Sequence, residues 1–526
     1  MLWVGEASFL STGYSTYGLQ LLRRLHAARK YDICELGSFA PPDDTRWADL
    51  PWKSRSAVPH TDEERRLFDA TQQLPFGEWV FDQICREHRP DIVFSIRDPW
   101  MDEYIARSKF RRLFEWHYMP TVDAEPQEKQ WLELYRNPDR LYTYSEWAAN
   151  VLSDLPNLRG TASPGADPDV FKPVVNRRDH RQKMGIDPDA VIVGTVMRNQ
   201  RRKLYPDLIE SFARLLEIAP ADLARRAYLY LHTSWPDLGW NIPALILRHN
   251  LSGRVLMTYY CKACGTSYPS HFQDSLAVCR VCGQKACGLP NSGLGVSSQT
   301  LNEIYNLFDV YVQYSCSEGF GMPMVEAAAA GVPVFAVDYS AMSDVVRKLT
   351  GTPIKVQRFF YEPETGRRFA LPDNADFVEK LATFLLKPVA ARLNAGLRSR
   401  RAAEKHYSWD ACAATWDRGF EEVPPMDPNR WVAPRPQFTP KTNIPDLPDE
   451  VFIRWGFHHV AGRPDLADSY LSLRMMRDLS WGAYTGPGIG GDYHSESPIL
   501  HGNRFHEFNR GHCMQIWLGM AERGNG

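Results

Sequence analysis

The sequence has no long apolar run and no excess of charge of one sign. Its 526 residues include 61 Lys plus Arg and 63 Asp plus Glu, which gives a formal net charge of −2 at pH 7. The longest apolar stretch, residues 327–337, is shorter than the roughly 20 residues that a helix needs to cross a bilayer. A membrane-spanning protein is therefore excluded. A surface that is basic throughout is not supported, although a local basic groove for nucleic acid is compatible with this balance.

The N-terminus lacks the features of a secretory leader. Its first residues, MLWVGEASFLSTGY, contain neither a basic start nor a small-residue cleavage site, which favours a cytoplasmic protein. With 44% apolar and 24% charged residues, the composition is that of an ordinary globular chain and excludes disordered and collagen-like classes. At about 150 residues per domain, the length predicts about three domains.

Four of the ten cysteines form one pattern. Cys261 with Cys264 and Cys279 with Cys282 make two C-x-x-C-G pairs, separated by fourteen residues. Each pair lets two thiolates converge on one ion, and the glycine that follows permits the tight turn. The spacing predicts a structural zinc ribbon, with two disulfides or a redox pair as the alternatives. Cys287 lies just outside the pattern as a spare or substitute ligand.

Short apolar runs alternate with amphipathic stretches over most of the chain. Such alternation indicates parallel sheets with helices on both faces, so we predict an α/β fold of two doubly wound, Rossmann-like domains that face a cleft. The domains are residues 1–165 and 166–422, joined by a turn-rich linker. The cysteine module, residues 258–288, is an insertion in the second domain. Residues 423–526, rich in Pro and then in Trp, Gly and His, form a C-terminal extension of unknown role.

The most informative stretch is residues 315–334, SCSEGFGMPMVEAAAAGVPV. An apolar strand ends, a glycine-containing loop follows, and a helix begins near Pro323, a residue suited to the first helical turn. The loop amides and the positive end of the helix point at one spot, which predicts a phosphate cradle. The loop residues of this cradle are Gly319, Phe320 and Gly321.

Two carboxylates flank the predicted cradle. Glu318 lies on the loop and Glu326 in the first turns of the helix, with seven residues between them. Carboxylate oxygens accept hydrogen bonds from hydroxyls, so these two are suited to hold hydroxyl groups on opposite sides of a bound diphosphate. A sugar at one end and a ribose at the other would fit.

With its flanks, LNEIYNLFDVYV at 301–312 and DYSAMSD at 338–344, this stretch resembles the retaining glycosyltransferases of family 4, which have the GT-B fold. The resemblance extends over about residues 1–420 and leaves the zinc module and the tail uncovered. It implies transfer of a hexose from a nucleotide-diphosphate sugar to an acceptor hydroxyl, with the donor's own phosphate oxygen accepting the proton and no catalytic metal. It also implies contact with the donor sugar for Glu318 and with the nucleotide ribose for Glu326.

A basic turn, VMRNQRRK at 196–203, follows another buried strand. The matching family segment supplies an arginine and a lysine to the leaving diphosphate, which implies that role for Arg198 and Lys203. Fixed cations stabilise the negative charge that builds on a departing phosphate. Arg201 and Arg202 are able to exchange roles with them, and an ordinary basic turn is the alternative.

Three residues of the first domain resemble the family's cleft-facing loops. Gly13 follows the first strand in a glycine loop, and Asp98 and His117 match the acceptor-side segments. We expect His117 to orient an acceptor hydroxyl or to stabilise charge near the sugar, with a packed structural histidine as the alternative. Many relatives have a histidine where this chain has Pro164, so no role of that imidazole is expected here.

The acceptor is not identified by the residues. A zinc ribbon and an unmatched tail suggest a specialised acceptor, and glycans, small molecules and hydroxymethylated DNA bases are the candidates. Two other functions are weighed against this one: a noncatalytic GT-B binding protein that recruits a partner, and a zinc-dependent nucleic-acid-binding protein.

Overall fold

A computed structural model gives the fold. It describes residues 1–69, 74–273, 277–291, 295–362, 365–424, 431 and 448–468, together with isolated helical residues between 472 and 521.

The first half of the chain forms a parallel sheet of seven strands in the order β3-β2-β1-β4-β5-β6-β7. The central strand β1 is buried along its whole length, as the middle of a sheet covered on both faces requires. The strands are β1 Leu2–Glu6, β2 Cys34–Ser38, β3 Lys53–Ser56, β4 Ile92–Ser95, β5 Glu115–Tyr118, β6 Arg140–Thr143 and β7 Leu158–Thr161. The helices are α1 Gly13–Ala27, α2 Asp62–Asp69, α3 Glu78–His88, α4 Pro99–Arg107, α5 Lys129–Tyr135 and α6 Glu146–Val151.

The second half forms a nine-stranded sheet around the fully buried strand β8, VIVGTV. Its central order β10-β9-β8-β14-β15-β16 is parallel, which confirms the predicted pair of doubly wound sheets. The strands are β8 Val191–Val196, β9 Ala227–His232, β10 Val255–Cys261, β11 Ser267–His271, β12 Ala277–Val278, β13 Lys285–Gly288, β14 Val310–Gln313, β15 Val334–Val337 and β16 Thr352–Ile354. The helices are α7 Arg177–Lys183, α8 Tyr205–Ile218, α9 Ala221–Arg226, α10 Ile242–Arg248, α11 Ser298–Tyr305, α12 Met322–Ala329, α13 Ser340–Lys348 and α14 Asn374–Leu385.

The cysteine module grows directly from this sheet. Strand β10 pairs in parallel with β9 through residues 255–257, while its residues 256–260 pair antiparallel with β11 and its residues 260–261 with β13. Cys261 is the last residue of β10, so the cysteines stand at the carboxyl edge of the sheet.

A hairpin and a helix join the two halves. A hairpin of β17 (Val356–Tyr361) and β18 (Arg368–Pro372) reaches the first half, where the amide of Arg368 donates to the carbonyl of Glu125 at 2.9 Å. After helix α15 (Val389–His406), helix α16 (Trp409–Glu421) packs back on α1. There the indole of Trp416 donates to the Tyr17 hydroxyl at 2.8 Å.

The described part of the tail has its own small core. Helix α17 (Asp449–His459) packs on the buried indole of Trp517, and Trp431 lies 5.4 Å from Phe110 of the first half. The Arg463 guanidinium donates to the carbonyl of Arg107 at 3.2 Å, which fixes this end of the tail to the first half. No helix in the described part of the chain combines the length and the apolar character needed to cross a bilayer.

Candidate active site

Two loops meet at the carboxyl edge of the second sheet, where open α/β sheets bind their ligands. The loop after β8 and the loop after β14 are tied by backbone hydrogen bonds from Leu204 to Tyr314 (3.0 Å) and from Cys316 to Arg202 (2.9 Å). This pairing brings the basic turn of the sequence against the loop that carries Glu318.

The carboxylate of Glu318 is the centre of a buried polar cluster. Arg202 donates to one of its oxygens at 2.7 Å, and Lys203 and Gln313 donate to the other, the amide of Gln313 at 2.6 Å. The backbone amide of Glu318 donates to the Ser340 hydroxyl at 2.9 Å, which fixes the loop. The sequence alone did not single out Gln313, whose only signal is its place as the last residue of a buried strand.

Burial and charge oppose each other within this cluster. Burial alone would raise the pKa of Glu318, but Arg202 and Lys203 outweigh it and lower the pKa to about 2. Burial, helped by the charge of Arg202, lowers the pKa of Lys203 to about 8. Burial also disfavours the charged form of Arg202, but the attraction of Glu318 and Asp123 outweighs burial and raises the pKa of that guanidinium. The cluster therefore holds a carboxylate between two cations at neutral pH.

Glu326 lies on α12 in different surroundings. Among the described residues its carboxylate accepts one hydrogen bond, from the Tyr305 hydroxyl at 2.8 Å, and burial raises its pKa to about 7. The pKa of Tyr311 is raised by burial and by both Glu318 and Glu326, so the two carboxylates act on one hydroxyl. Helix α12 begins after Gly321, whose φ of 88° suits a residue without a side chain.

The first half meets this site through the start of α1 and the loops after β4 and β5. The Tyr14 hydroxyl lies 3.1 Å from an Asp98 carboxylate oxygen and 2.6 Å from the Thr121 hydroxyl. Thr121 in turn presses on Gly319, because a Cβ built there would lie 2.6 Å from its Cγ2. Burial and the neighbouring Asp123 raise the pKa of Asp98 to about 6. Asp98 thus lies in a hydrogen-bonded group that reaches Gly319, and the sequence pattern did not single out its neighbours Tyr14, Thr121 and Asp123.

The remaining predicted residues take other positions. Arg198 pairs with Asp237 at 3.0 Å on the surface, with 45% of its side chain exposed, so Arg202 stands beside Lys203 instead. Gly13 is the first, exposed residue of α1, and a Cβ there would meet nothing within 4 Å. Phe320 is buried, with its ring 5.6 Å from Tyr407.

His117 is not brought to this cluster. It is fully buried, with its Nε2 3.3 Å from a Glu115 oxygen and its ring 5.1 Å from Phe420 of α16. Strand residues alternate between faces, and Trp116 and Tyr118 stack on each other on the opposite face. Burial lowers the pKa of His117. These contacts favour the alternative interpretation, a histidine packed between the first sheet and α16.

The four predicted cysteine ligands converge on one point. Their sulfur atoms all lie within 4.8 Å of one another. The pairs Cys261–Cys282 and Cys264–Cys279 are 3.7 and 3.6 Å apart; a disulfide has a bond of about 2.05 Å. Four thiols at such spacing fit the tetrahedral donor set of zinc. Cys287 is buried and opposite Cys261 in the β10–β13 pair, outside that group of four.

Residues 293–399 match the family model described as glycosyl transferases group 1. A D-inositol 3-phosphate glycosyltransferase of Saccharomonospora viridis is 26% identical over 276 residues, which are 52% of this chain and 52% of that protein. The lipopolysaccharide core biosynthesis mannosyltransferase LpsB of Rhizobium meliloti is 25% identical over 283 residues, 53% of this chain and 64% of that one. The chain thus spans between half and two thirds of these relatives' length.

Solved structures share the fold at low identity. The sucrose-phosphate synthase of Thermosynechococcus elongatus has a TM-score of 0.58 at 18% identity, covering 80% of this chain and 98% of that one. The Anabaena protein HepE, solved with UDP and glucose, has a TM-score of 0.56 at 13% identity, with the same coverage. The chain therefore carries a group 1 glycosyl transferase region on a GT-B fold, which confirms its resemblance to the glycosyltransferases of family 4.

Proposed function

We propose that the chain is a retaining glycosyltransferase that moves a hexose from a nucleotide-diphosphate sugar to an acceptor hydroxyl. The observation that carries the proposal is the Glu318 carboxylate, held by Arg202 and Lys203 beside a glycine loop within the group 1 region. UDP is bound in the structural neighbour HepE, so UDP-sugars are the first donors to test.

In this proposal, different cleft residues bind different parts of the donor. Lys203 and Arg202 face the diphosphate and balance the charge that builds on it, with Arg198 as a third cation at the surface. Glu318 accepts from hydroxyls of the sugar, and Glu326, oriented by Tyr305, accepts from the ribose. The first half, through Asp98, holds the acceptor hydroxyl.

Transfer then proceeds on one face of the sugar. The bond from the anomeric carbon to the phosphate oxygen breaks as the acceptor oxygen bonds to that carbon on the same side. The acceptor's proton passes to the departing phosphate oxygen, so no protein nucleophile is required. The negative Glu318 and the flanking cations form a fixed electrostatic environment for this separation of charge.

Incubation with UDP-sugars and a panel of acceptor hydroxyls tests this function. The wild-type chain is expected to release UDP and to form a product that keeps the donor's anomeric configuration, read from the anomeric proton by NMR. Glu318→Gln should lower kcat about a hundredfold. The matched control Glu217→Gln, an exposed position on α8, should leave it unchanged. Equal rates for the three proteins, or an inverted product, would contradict the proposal.

We also propose that Cys261, Cys264, Cys279 and Cys282 bind one structural zinc ion. Bound zinc would hold the ends of β10, β12 and β13 together and would take no part in transfer. One equivalent of zinc per chain is expected by elemental analysis, and Cys264→Ser should abolish it. Cys287→Ser should keep the metal, because that thiol lies outside the group of four; retention of zinc by Cys264→Ser would sink the assignment.

A further inference from the structure

Three aromatic rings lie together at the cleft-facing edge of the first sheet. Phe39 directly follows β2, and Trp100 lies in the first turn of α4, two residues after Asp98. Phe76, from the single helical turn Leu74–Phe76, lies between them. We call these three residues the aromatic platform.

The outer two rings are exposed and the middle one is buried. The Phe39 and Phe76 centroids are 5.7 Å apart at 89°, and those of Phe76 and Trp100 are 5.2 Å apart at 82°. Phe39 is 46% exposed and Trp100 is 45% exposed, whereas Phe76 is 7% exposed. Large rings that stay exposed to water in one patch lose the stabilisation that burial would provide. Such patches mark binding surfaces.

The platform is held rigidly. The carbonyl of Phe76 accepts from the Tyr104 hydroxyl at 2.8 Å and from Arg97 at 3.3 Å. Arg97 is fully buried against Asp102. Phe39 has a φ of 69°, a left-handed conformation that is unfavourable for a residue with a Cβ. Strain of this kind persists where the surroundings enforce it, and it concentrates at functional sites.

Carboxylates outnumber cations in the segments next to the platform. Asp98 lies next to it and bonds Tyr14, and the segment that follows Phe39 carries exposed Asp43 together with Asp44, which is paired with Arg46. Carboxylates accept hydrogen bonds from neutral hydroxyls and repel phosphodiesters. The negative face of an aromatic ring attracts polarised C–H groups, such as those on one face of a saccharide ring.

We propose that the aromatic platform binds the acceptor, and that the acceptor is a neutral, hydroxyl-rich ring, either a saccharide or a cyclic polyol. One C–H face of that ring stacks on Trp100 and Phe39, and a hydroxyl reaches Asp98 at the edge of the cleft. This inference rests on the proposed glycosyltransferase function and narrows its acceptor. It favours ring-shaped sugars and polyols over nucleic acid as the acceptor, because the neighbouring carboxylates would repel phosphodiesters.

Saturation-transfer NMR on the full chain with bound UDP tests the platform. The probes are methyl α-D-glucoside, methyl β-D-galactoside, myo-inositol and a ten-residue oligodeoxythymidine. Ring C–H protons of at least one of the three small probes are expected to receive saturation from aromatic protons. Trp100→Ala and Phe39→Ala should each weaken that binding about tenfold, while the affinity for UDP, measured by calorimetry, stays within about twofold.

Two variants separate binding from folding. Phe39→Gly removes the ring and relieves the left-handed strain, so it should lose the probe while keeping or raising the melting temperature. Leu386→Ala, at a 56% exposed position beyond α14, is the matched surface control and should bind like the wild type.

The outcomes are distinguishable. Wild-type protein that binds no UDP and transfers no sugar contradicts the proposed function itself. UDP binding with no saturation on any small probe, or with equal saturation in the platform variants, overturns the platform. Binding of the oligonucleotide that is lost in Trp100→Ala overturns the choice of a neutral ring.

Discussion

Two carboxylates of one sequence motif have opposite pKa shifts. Glu318 and Glu326 are both buried, but Glu318 lies between Arg202 and Lys203, whereas the hydrogen-bond partner of Glu326 within the described part of the chain is the Tyr305 hydroxyl. Burial raises the pKa of both carboxylates, and the neighbouring cations decide the sign of the net shift. Glu318 is therefore ionised at any physiological pH, and Glu326 titrates close to pH 7.

Glu326 gives a pH-dependent prediction. Its pKa rises from 4.5 to about 7 in the folded chain, so the folded state binds the extra proton between these values. The stability that this proton contributes is present below pH 4.5 and lost as the pH rises through 7, on the order of 3 kcal/mol. Glu326→Gln should thus raise the free energy of unfolding at pH 8 relative to wild type and have little effect at pH 4.5, as measured by urea unfolding.

The same substitution should harm donor binding. An ionised carboxylate is the better acceptor for a ribose hydroxyl, so wild-type kcat/KM for the donor should rise with pH through about 7. Glu326→Gln is expected to flatten that limb and to raise the donor KM about tenfold. An unchanged pH profile in the variant would contradict the ribose role.

His117 gives a prediction of the opposite kind. Its Nδ1 is buried without a hydrogen-bond partner among the described atoms, and its ring packs on Phe420 and Tyr142. His117→Phe should keep kcat within about twofold, because the contacts of the ring within the described part of the chain are with Glu115, Tyr142 and Phe420 and not with the Glu318 cluster. Thermal unfolding of the variant should be equal or higher, since one unpaired buried nitrogen is removed. A hundredfold loss of kcat with unchanged folding would restore the catalytic assignment.

At the scale of elements, loops after strands build the site and neighbouring loops fit closely. The loop after β5 brings Thr121 against Gly319 of the loop after β14. The first residue after a strand is readily expected at a cleft, but its partner from the other sheet depends on how the two halves close. That is why the sequence pointed to Glu318 and Glu326, which share one local motif, and missed Thr121 and Tyr14.

The contact between Gly319 and Thr121 gives a rescue experiment. Gly319→Ala places a Cβ 2.6 Å from Thr121 Cγ2, which is too close for two carbons, so the halves must separate slightly. Catalytic groups displaced in this way lose rate, and kcat should fall about tenfold. Adding Thr121→Ser removes that methyl, keeps the hydroxyl that meets Tyr14, and should restore most of kcat. Failure of this rescue would show that the loop contact does not govern the rate.

From the sequence, strands could be distinguished from loops more reliably than core residues could be distinguished from cleft residues. His117 and Asp98 both belong to the carboxyl-terminal parts of parallel strands and their loops, yet one is packed under α16 and the other faces the second half. Side-chain alternation gives the two faces of a strand without saying which face a distant helix will cover. Likewise, four basic residues in one turn gave no means to choose Arg202 over Arg198.

Across the whole molecule, the two halves are joined on several sides. The hairpin pairs Arg367 with Asp123 at 2.9 Å, and the amide of Trp147 donates to Asp344 of α13. Arg24 of α1 also pairs with Asp410 of α16 at 2.6 Å. We expect such contacts to keep Asp98 beside the Glu318 cluster, so that closure of the cleft assembles the site.

A double-mutant cycle on the hairpin tests this coupling. Arg367→Ala and Asp123→Ala should each lower kcat/KM several-fold, and the double variant should be no worse than the poorer single one. The coupling free energy on kcat/KM should be about 1 kcal/mol, because the pair is only partly exposed. The exposed pair Arg178 and Asp189 within the second half is the control, with a coupling near zero; strict additivity for the hairpin pair would contradict the role of closure.

Strand β10 belongs both to the second sheet and to the cysteine module. Because the module continues a core strand, no flexible linker separates it from the sheet, and it must tumble with the rest of the chain as a single body. Its orientation is set by the pleat and twist of the sheet beneath it. Backbone relaxation rates in the two knuckles should therefore match those of β9, with none of the fast local motion expected of a zinc domain on a linker.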